Sequence, residues 1–248
     1  MRPAVCTLLA LLVCSTGATQ ETRQEGNAGQ RTGIDPTDIR TRFEAAYTYN
    51  ERSNGVIRHN VNVRLEREFP GKNLNVRLDL PYVSADIPDM PDQGGLGDIA
   101  VRLNYRYLNT RSHSALVAAA VTLDTAGDDS LGDGTTKVTG VWVNSWRRKA
   151  WLLSAATLAT WSESGEHDSA GLVPLAAYQP MRKYWSYVSL GLPVVRDLDD
   201  NETITLGILR IGKVFTGGSV LYTGTRYDLS GNADDDLVVT LGYRFMFQ

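Results

Sequence analysis

The chain has 248 residues, 42% of them hydrophobic, and its 25 Lys and Arg and 28 Asp and Glu leave a formal net charge of −3. One domain is the expectation, because β-sandwiches and β-barrels of this length are commonly single units. No interior apolar run is long enough for a membrane helix, so a membrane-spanning region would have to consist of strands.

The N-terminus, residues 1–18, has the order of a secretory signal peptide. A short region with one arginine precedes the apolar stretch 4–13, and small residues follow at 16–18. An anchor helix is the alternative, but the apolar stretch is too short to span a bilayer. Both cysteines, Cys6 and Cys14, lie in this segment, so we expect no disulfide, thiol chemistry or cysteine-bound metal in the mature chain. A lipidated Cys14 is a weaker alternative.

From residue 40 onward the chain repeats one unit, in which an alternating polar and apolar stretch is followed by a turn or loop. In 96–108, for example, Arg102, Asn104 and Arg106 alternate with aliphatic and aromatic residues. Alternation over roughly ten residues is typical of a strand that crosses a membrane. Twelve such stretches predict strands at 40–50, 56–69, 73–83, 96–108, 113–123, 137–146, 150–161, 171–179, 184–195, 203–214, 219–227 and 236–248.

The connections between these strands differ in length and in charge. Asp and Glu are concentrated in the longer loops, such as 124–136, whereas short turns such as 109–112 and 147–149 carry Arg and Lys and no acid. Short turns at one end and long loops at the other are typical of an up-and-down membrane barrel. A soluble sandwich explains the alternation equally well but gives no reason for one acidic and one basic end.

We therefore predict an all-β protein, a transmembrane up-and-down antiparallel β-barrel of about 12 strands in the outer membrane of a Gram-negative cell. The predicted organisation is a signal peptide at 1–18, a flexible periplasmic lead-in at 19–38 and the barrel at 39–248, with both termini periplasmic. The lead-in is rich in Gln, Gly, Thr, Glu and Arg and has almost nothing to bury. Outer-membrane lipid is the implied environment.

The final predicted strand is apolar along one face and ends in a pattern of aromatic residues. Thr240, Gly242, Phe245 and Phe247 have the spacing polar-x-Gly-x-x-aromatic-x-aromatic. This pattern resembles the C-terminal signal by which the barrel assembly machinery recognises outer-membrane barrels, and it implies that machinery as a partner. Gln248, which follows the last aromatic residue, is the single departure from the pattern.

Three further stretches resemble one family. They read LDLPYV at 78–83, GGLGDIAVRLNYRYL at 94–108 and VTLDTAGDDSLGDG at 121–134, together with the closing YRF at 243–245. They are similar to outer-membrane barrels of the MetA-pathway-of-phenol-degradation type, which are described as transporters. That family has Pro-Thr-Gly where this chain reads Asp-Thr-Ala-Gly at 124–127, so the proline is missing. The resemblance implies an outer-membrane barrel that passes small aromatic or hydrophobic compounds.

The stretch 94–98 also predicts a local feature at the rim of the barrel. Gly95 and Gly97 allow unusual backbone angles where a long loop returns to the wall. Asp98 is expected to point inward there, where a neighbouring arginine would neutralise it, and we predict a structural role for it rather than ligand binding.

Catalysis has little support in the sequence. His59, His113 and His167 are placed near both ends of the predicted barrel, so they cannot share a site. His167 with the Ser and Glu residues of its loop is the candidate for a lipid-modifying enzyme, but such loops are commonplace. No phosphate-binding glycine loop, zinc-ligand spacing or nucleic-acid motif is present. We therefore expect no enzymatic activity, no cofactor, no metal and no nucleic-acid partner.

The acidic loop 124–134 resembles a cation-binding loop in composition, although its spacing does not fit an EF-hand. Ca²⁺ or Mg²⁺ bridging to lipid phosphates is one interpretation, and solvated loop tips are the preferred one.

The inward charges are the preferred functional candidates, because a lipid-facing arginine costs about 2–4 kcal/mol at the bilayer midplane whereas charge in the lumen tunes a channel. The same charges would alternatively form a salt-bridged plug. The opposite wall is inferred to carry small inner residues, among them Ala118, Ala120, Ser154, Ala156 and Ala176. The predicted lumen-lining residues are Arg64, Arg77, Asp79, Arg102, Arg106, Arg210, Arg226, Arg244 and Glu66.

The predicted function is a passive channel or transporter for a small solute, with a hydrophobic or aromatic compound as the leading class because of the family resemblance. A structural or surface-interaction barrel without transport is the alternative, and a lipid-modifying outer-membrane enzyme is a weaker one.

Overall fold

The computed structural model describes residues 34–52, 55–71, 73–88, 93–128, 131–165, 168–179, 186–215, 218–231 and 235–247. Within these ranges the regular structure consists of strands, and none of the described residues form a helix that is long and apolar enough to cross a membrane. The strand segments are β1 (Arg42–Arg52), β2 (Ile57–Glu68), β3 (Leu74–Asp86), β4 (Gln93–Leu96), β5 (Ile99–Asn109), β6 (His113–Leu123), β7 (Lys137–Arg148), β8 (Trp151–Ser162), β9 (Ser169–Tyr178), β10 (Ser186–Gly191), β11 (Val194–Asp197), β12 (Thr203–Val214), β13 (Ser219–Asp228) and β14 (Asp235–Met246).

The sheet closes on itself. Consecutive wall strands pair antiparallel, and β14 pairs with both β13 and β1. The register of β1 with β14 is continuous from Arg42 opposite Met246 to Glu51 opposite Leu237 and shifts by one residue at Arg52, which lies opposite Asp235. β4 and β5 follow one another along β3, and β10 and β11 follow one another between β9 and β12. The 14 segments therefore form 12 wall strands, and the predicted 12-stranded antiparallel barrel is confirmed.

Both interruptions of the wall lie opposite a proline. The break between β4 and β5 faces Pro81 of β3, and the break between β10 and β11 faces Pro174 of β9. Proline has no N–H to donate to the neighbouring strand, so the ladder cannot continue there with both of its bonds. Each proline carbonyl still accepts one bond at 3.0 Å, from the N–H of Gly97 and of Leu192 respectively. The predicted strand at 184–195 is divided for this reason.

Side chains alternate between the two faces of the wall, as strand geometry requires. The outward face is apolar and exposed, with Leu103, Trp142, Leu153 and Leu241 each between 46% and 54% exposed. Such a belt is costly in water and suits a lipid environment. Near the short turns it carries paired aromatic rings, including Trp151 and Tyr178 at 4.6 Å between centroids.

The two ends of the barrel differ in charge. The strand β1 begins and the strand β14 ends at the end with the short turns, where Arg111, Arg148, Lys149 and Lys213 are exposed. The other end carries the longer loops, with the exposed acids Asp124, Asp128, Asp133, Glu163, Asp199, Asp200 and Glu202. This separation is the one expected from the sequence.

The predicted flexible lead-in differs from the structure in its last residues. Asp35 and Thr37 have no exposed surface, and Asp38 and Ile39 are 5% and 4% exposed. Asp35, Thr37, Asp38 and Ile39 are buried, whereas Pro36 is exposed. The polar groups of Asp35 and Thr37 find partners inside the barrel, and the partly buried Ile34 packs on a cluster formed by Tyr187, Val214, Val220, Tyr222 and Met246. The predicted signal peptide and residues 19–33 of the lead-in lie outside the described residues.

Candidate functional site in the barrel lumen

A row of alternating charges crosses one wall of the lumen. Strand pairing places Glu44 of β1 directly opposite Arg244 of β14 and Arg64 of β2, and it places Arg64 opposite Asp79 of β3. Opposite charges on facing positions of neighbouring strands stabilise a sheet. The Nε atoms of Arg244 and Arg64 donate to Glu44 and Asp79 over 2.5 and 2.6 Å, and the Tyr222 hydroxyl donates to Glu44 over 2.6 Å.

A second row of charged residues lies beside the first, and its last two members have the same sign of charge. Its members in order are Arg42, Glu66, Arg77 and Arg102, from β1, β2, β3 and β5. Arg42 is ion-paired with Glu66 at 2.7 Å, and Arg77 donates to Asp79 of the first row over 2.5 Å. Arg77 and Arg102 thus face one another as like charges, an arrangement that is unfavourable without a counter-charge.

Arg102 is oriented by amides and has no carboxylate partner among the described residues. Its Nε atom donates to Oδ1 of Asn104 over 2.7 Å, and Nδ2 of Asn104 donates to Oδ1 of Asn75 over 2.7 Å. Nδ2 of Asn75 in turn donates to Glu66 over 3.1 Å. This chain of hydrogen bonds fixes the guanidinium in place without neutralising it.

Tyr222 connects the first row to another arginine. The guanidinium of Arg210, on β12, lies 5.0 Å from the Tyr222 ring centroid, and that of Arg244 lies 5.6 Å from it. Both distances are within the range of cation–π attraction. The ring itself covers Gly242, where a Cβ atom would overlap it. Arg210 forms no ion pair within the part of the chain that the structure describes.

The wall opposite these rows is largely apolar, and among the described inward positions of β8, β9 and β12 the charged side chain is Arg210. In a ring of 12 wall strands, β1 and β2 face β8 and β9, and β5 faces β12. The inward positions on those facing strands, identified by their pairing, include Leu158, Val173, Leu175, Leu206 and Ile208, all partly exposed. The inferred inner position of Ala176 is wrong, because Ala176 pairs with the outward residues Leu153 and Leu190. The lumen therefore has one charged and one largely apolar side.

The N-terminal segment crosses the lumen at the short-turn end. The Asp35 carboxylate is ion-paired with Arg147 of β7, with Nε and Oδ2 at 2.5 Å, and both side chains are buried. Arg147 also donates to Thr37 over 3.1 Å and to Ser114 over 2.5 Å. Since β1 follows this segment and β7 lies nearly opposite β1, the contact spans the barrel.

Asp38 is the other buried acid of this segment. Its carboxylate accepts a hydrogen bond from Nε of Arg40 over 3.1 Å, and Arg42 and Asp35 are also close enough to act on its charge. Burial outweighs the two arginines and raises the pKa of Asp38 above its ordinary value of 3.8. The docked segment therefore holds one carboxyl whose ionised form is unfavourable.

At the long-loop end the 124–136 loop is held against the wall by Asp98. The Asp98 carboxylate accepts backbone N–H groups of Thr125, Ala126 and Asp133 over 3.1, 3.1 and 2.7 Å. The expected arginine partner of Asp98 is not found among the described residues. Gly95 and Gly97 do not have positive φ values, and they leave room instead for Leu131, which is buried against them.

The remaining predicted residues are distributed as follows. Arg106 is buried near the short-turn end, and Arg226 points inward on β13 and is partly exposed. Thr240 and Gly242 lie on the inner face of β14, whereas Phe245 and Phe247 are exposed with their ring centroids 5.0 Å apart. Gln248 lies outside the described residues. The assembly role of this pattern stays a prediction.

The described histidines do not share a site. His59 accepts or donates a hydrogen bond to the Tyr47 hydroxyl at 2.7 Å, and His113 stacks on Trp146 with 5.2 Å between the ring centroids. The first lies towards the long loops and the second at the short turns. His167 lies outside the described residues. Within the described ranges no three His, Asp or Glu side chains are placed to hold a metal ion.

Comparison with known proteins gives fold relationships only. No family model and no curated protein sequence matches the chain. Among solved structures, the COG4313 outer membrane channel from Pseudomonas putida F1 superimposes with a TM-score of 0.69 at 17% identity, over 92% of this chain and 100% of that chain. The NanC porin gives 0.62 at 10% identity, over 83% and 100%. The KdgM porin gives 0.60 at 7% identity, over 83% and 99%.

The fold is thus the one found in outer-membrane channels and porins. The narrower resemblance to the MetA-type family stays a prediction.

The sequence did not predict four lumen residues of evident importance. Arg147 was assigned to a basic turn. It follows Val143 and Ser145 at intervals of two residues, so strand alternation places it on their inward face and not on the outward face of Trp142. This alternation was the signal in the sequence that could have identified Arg147 as a lumen residue. Asp35 belonged to the predicted lead-in, and the roles of Tyr222 and Arg42 depend on strand register.

Proposed function

We propose that this protein is a passive outer-membrane channel or transporter for a small solute, with both termini in the periplasm. The observation that carries the proposal is an amphipathic lumen whose walls do not pack against one another. The side chains of Arg64 and Arg77 remain 21% and 23% exposed inside the barrel. A barrel closed throughout by its own side chains would bury them as a protein core does.

A hydrophobic or aromatic compound is the proposed solute class. Its support is the apolar wall formed by residues such as Val173, Leu175 and Ile208, which offers a surface on which an apolar compound loses contact with water. The motif resemblance at 78–83 and 94–108 points in the same direction. Processing of 1–18 and recognition of Thr240, Gly242, Phe245 and Phe247 by the assembly machinery belong to the same proposal.

Single-channel conductance of the refolded protein in a planar bilayer tests the proposal. Because residues 34–39 cross the lumen at one end, the measurement compares the wild type with Arg147→Ala, which loses the ion pair to Asp35, and with Arg148→Ala as the control. Discrete openings in Arg147→Ala support a channel. A correctly folded Arg147→Ala barrel that passes neither ions nor a small aromatic solute from loaded liposomes would favour the alternative of a surface-interaction barrel.

A further inference from the structure

We infer that the lumen binds a small amphiphile with a carboxylate head and an apolar body, the head between Arg77 and Arg102 and the body along the wall of β8, β9 and β12. This inference deepens the proposed function and rests on it, because it assumes that the lumen is the path of the solute.

The position of the head follows from the interrupted charge alternation. In the first row each cation of the sequence Arg244, Glu44, Arg64, Asp79 has a carboxylate beside it. In the second row Arg77 and Arg102 occupy facing positions with no acid between them, and Asp79 is already shared by Arg64 and Arg77. A carboxylate placed between Arg77 and Arg102 restores the alternation.

Arg102 is built to receive such a group. Its Nε atom is occupied by Asn104, so the guanidinium has a fixed orientation, and its Nη groups have no carboxylate partner among the described residues. A planar guanidinium matches a carboxylate in bidentate geometry. Because the orientation is set by the chain from Asn104 through Asn75 to Glu66, little side-chain entropy is lost when the anion binds.

The apolar wall determines the rest of the ligand. Across the lumen from β1, β2 and β3, the described inward residues of β8, β9 and β10 include no charged side chain, and Val173 and Leu175 of β9 are partly exposed. On β12, opposite β5, Ile208 is partly exposed and Arg210 is the charged inward residue. An acidic sugar would leave its hydroxyl groups without partners on this wall, and a neutral hydrocarbon would leave Arg102 without a counter-charge. A cation would be repelled by the surplus of arginines. A monocarboxylate with an aromatic or aliphatic body satisfies both walls.

Isothermal titration calorimetry of the full chain in lipid nanodiscs tests the inference. The heat measured with empty nanodiscs is subtracted. The probes are 4-ethylbenzoate, its neutral analogue 4-ethylbenzyl alcohol and its cationic analogue 4-ethylbenzylamine. We expect 4-ethylbenzoate to bind about tenfold or more tightly than either analogue, because hydrogen bonds to charged groups are the strong ones. Equal affinity for the benzoate and the alcohol would refute the anionic head.

Arg102→Gln is the main variant, and Arg148→Gln, which removes the same charge from an exposed position, is its control. We expect Arg102→Gln to weaken the binding of 4-ethylbenzoate about tenfold or more and to change the affinity for 4-ethylbenzyl alcohol by less than about twofold. Unchanged benzoate affinity in Arg102→Gln would place the head elsewhere. Should this variant not fold, Arg102→Lys keeps the charge and loses the bidentate geometry, and an intermediate affinity is expected.

The apolar wall is tested by Val173→Thr, which keeps the shape of the side chain and adds a hydroxyl group. In the wild type each methylene added between benzoate and 4-butylbenzoate should tighten binding by up to about fourfold, and Val173→Thr should reduce that increment. Absence of any increment in the wild type refutes the apolar contact. The conductance of Arg147→Ala tests separately whether the protein is a channel. An open channel that binds no benzoate would therefore overturn the ligand inference and leave the proposed function standing.

Discussion

The carboxylate of Asp35 and the guanidinium of Arg147, 112 residues apart in the chain, form a buried ion pair that ties the N-terminal segment to the far wall of the barrel. Thr37 and Ser114 complete the arrangement by hydrogen bonding to the same guanidinium. Arg147 therefore makes three of the contacts that hold the segment across the lumen, beside the Thr37–Ser114 hydrogen bond and the packing of Ile34.

Arg147→Ala should release the segment and increase the ionic current. Removing one partner of a buried pair leaves the other charge uncompensated, and this costs about 3–5 kcal/mol. Most of this cost should fall on the docked state of residues 34–39, because the backbone hydrogen bonds of β7 to its neighbouring strands remain. Single-channel recording checks the result against Arg148→Ala, whose side chain is exposed. Identical currents in the two variants would contradict the assigned role of Arg147.

The docked segment should also respond to pH through Asp38. Since burial raises the pKa of Asp38, its protonated form is favoured when the segment is docked. Stability of the docked state is therefore present at low pH and is lost as the pH rises through the raised pKa. The groups that act on Asp38 include Arg40, Arg42, Asp35, Glu68 and Arg106.

Conductance measured between about pH 4 and pH 8 should accordingly rise with pH in the wild type. Asp38→Asn, which is neutral at every pH, should flatten this component of the dependence and lower the current at neutral pH. Asp124→Asn, in an exposed loop, is the control. A slope that survives unchanged in Asp38→Asn would assign the pH response to another group.

Gly242 has two possible roles, packing beneath the Tyr222 ring and recognition by the assembly machinery, and substitutions can distinguish them. A Cβ atom at this position would overlap the Tyr222 ring, so Gly242→Ala should destabilise the folded barrel by about 1–3 kcal/mol through overpacking. Urea unfolding of the refolded protein measures the change. In a Tyr222→Ala background the added effect of Gly242→Ala should largely disappear, because the obstructing ring is absent.

If Gly242 also belongs to a recognition signal, assembly in cells should respond differently. The double variant would then refold in detergent as well as Tyr222→Ala alone and still reach the outer membrane in smaller amount than Tyr222→Ala. Equal recovery of refolding and of cellular assembly in the double variant would make packing the whole reason for this glycine.

Asp98→Ala should detach the 124–136 loop from the wall. The substitution leaves the backbone N–H groups of Thr125, Ala126 and Asp133 without their acceptor. Because the bonds of Thr125 and Asp133 are exposed to water, which can replace the carboxylate, each loss should cost about 0.5–1.5 kcal/mol. Hydrogen exchange of these three amides should become faster, while the amides of β7 stay protected. Asp124→Ala is the control, and equal exchange in both variants would refute the role of Asp98.

The sequence was sufficient for the fold because alternation reports which side chains share a face. The clean alternation around Arg102 and Arg106 predicted strand β5, and the structure places both side chains on its inner face. It failed at Ala176, near Pro174, where small residues occupy both faces and carry no contrast. Partners such as Glu44 with Arg244 could not be predicted, since a one-residue change of register reassigns every pair.

The burial of Asp35, Thr37, Asp38 and Ile39 was unpredictable for a different reason. The segment is polar, and composition indicates burial only where apolar residues dominate. Asp35 and Thr37 are buried because Arg147 and Ser114 supply their hydrogen bonds, a fact that appears only when distant parts of the chain are brought together.

The pairing of β14 with β1 also constrains how the protein is made. Of the barrel strands, β14 is the last to leave the ribosome, and until it arrives β1 and β13 are open edges with unpaired backbone groups. Hydrocarbon offers these groups no partner, so the wall cannot be threaded into lipid strand by strand during synthesis. The chain must instead travel to the membrane unsealed and insert when its two ends meet.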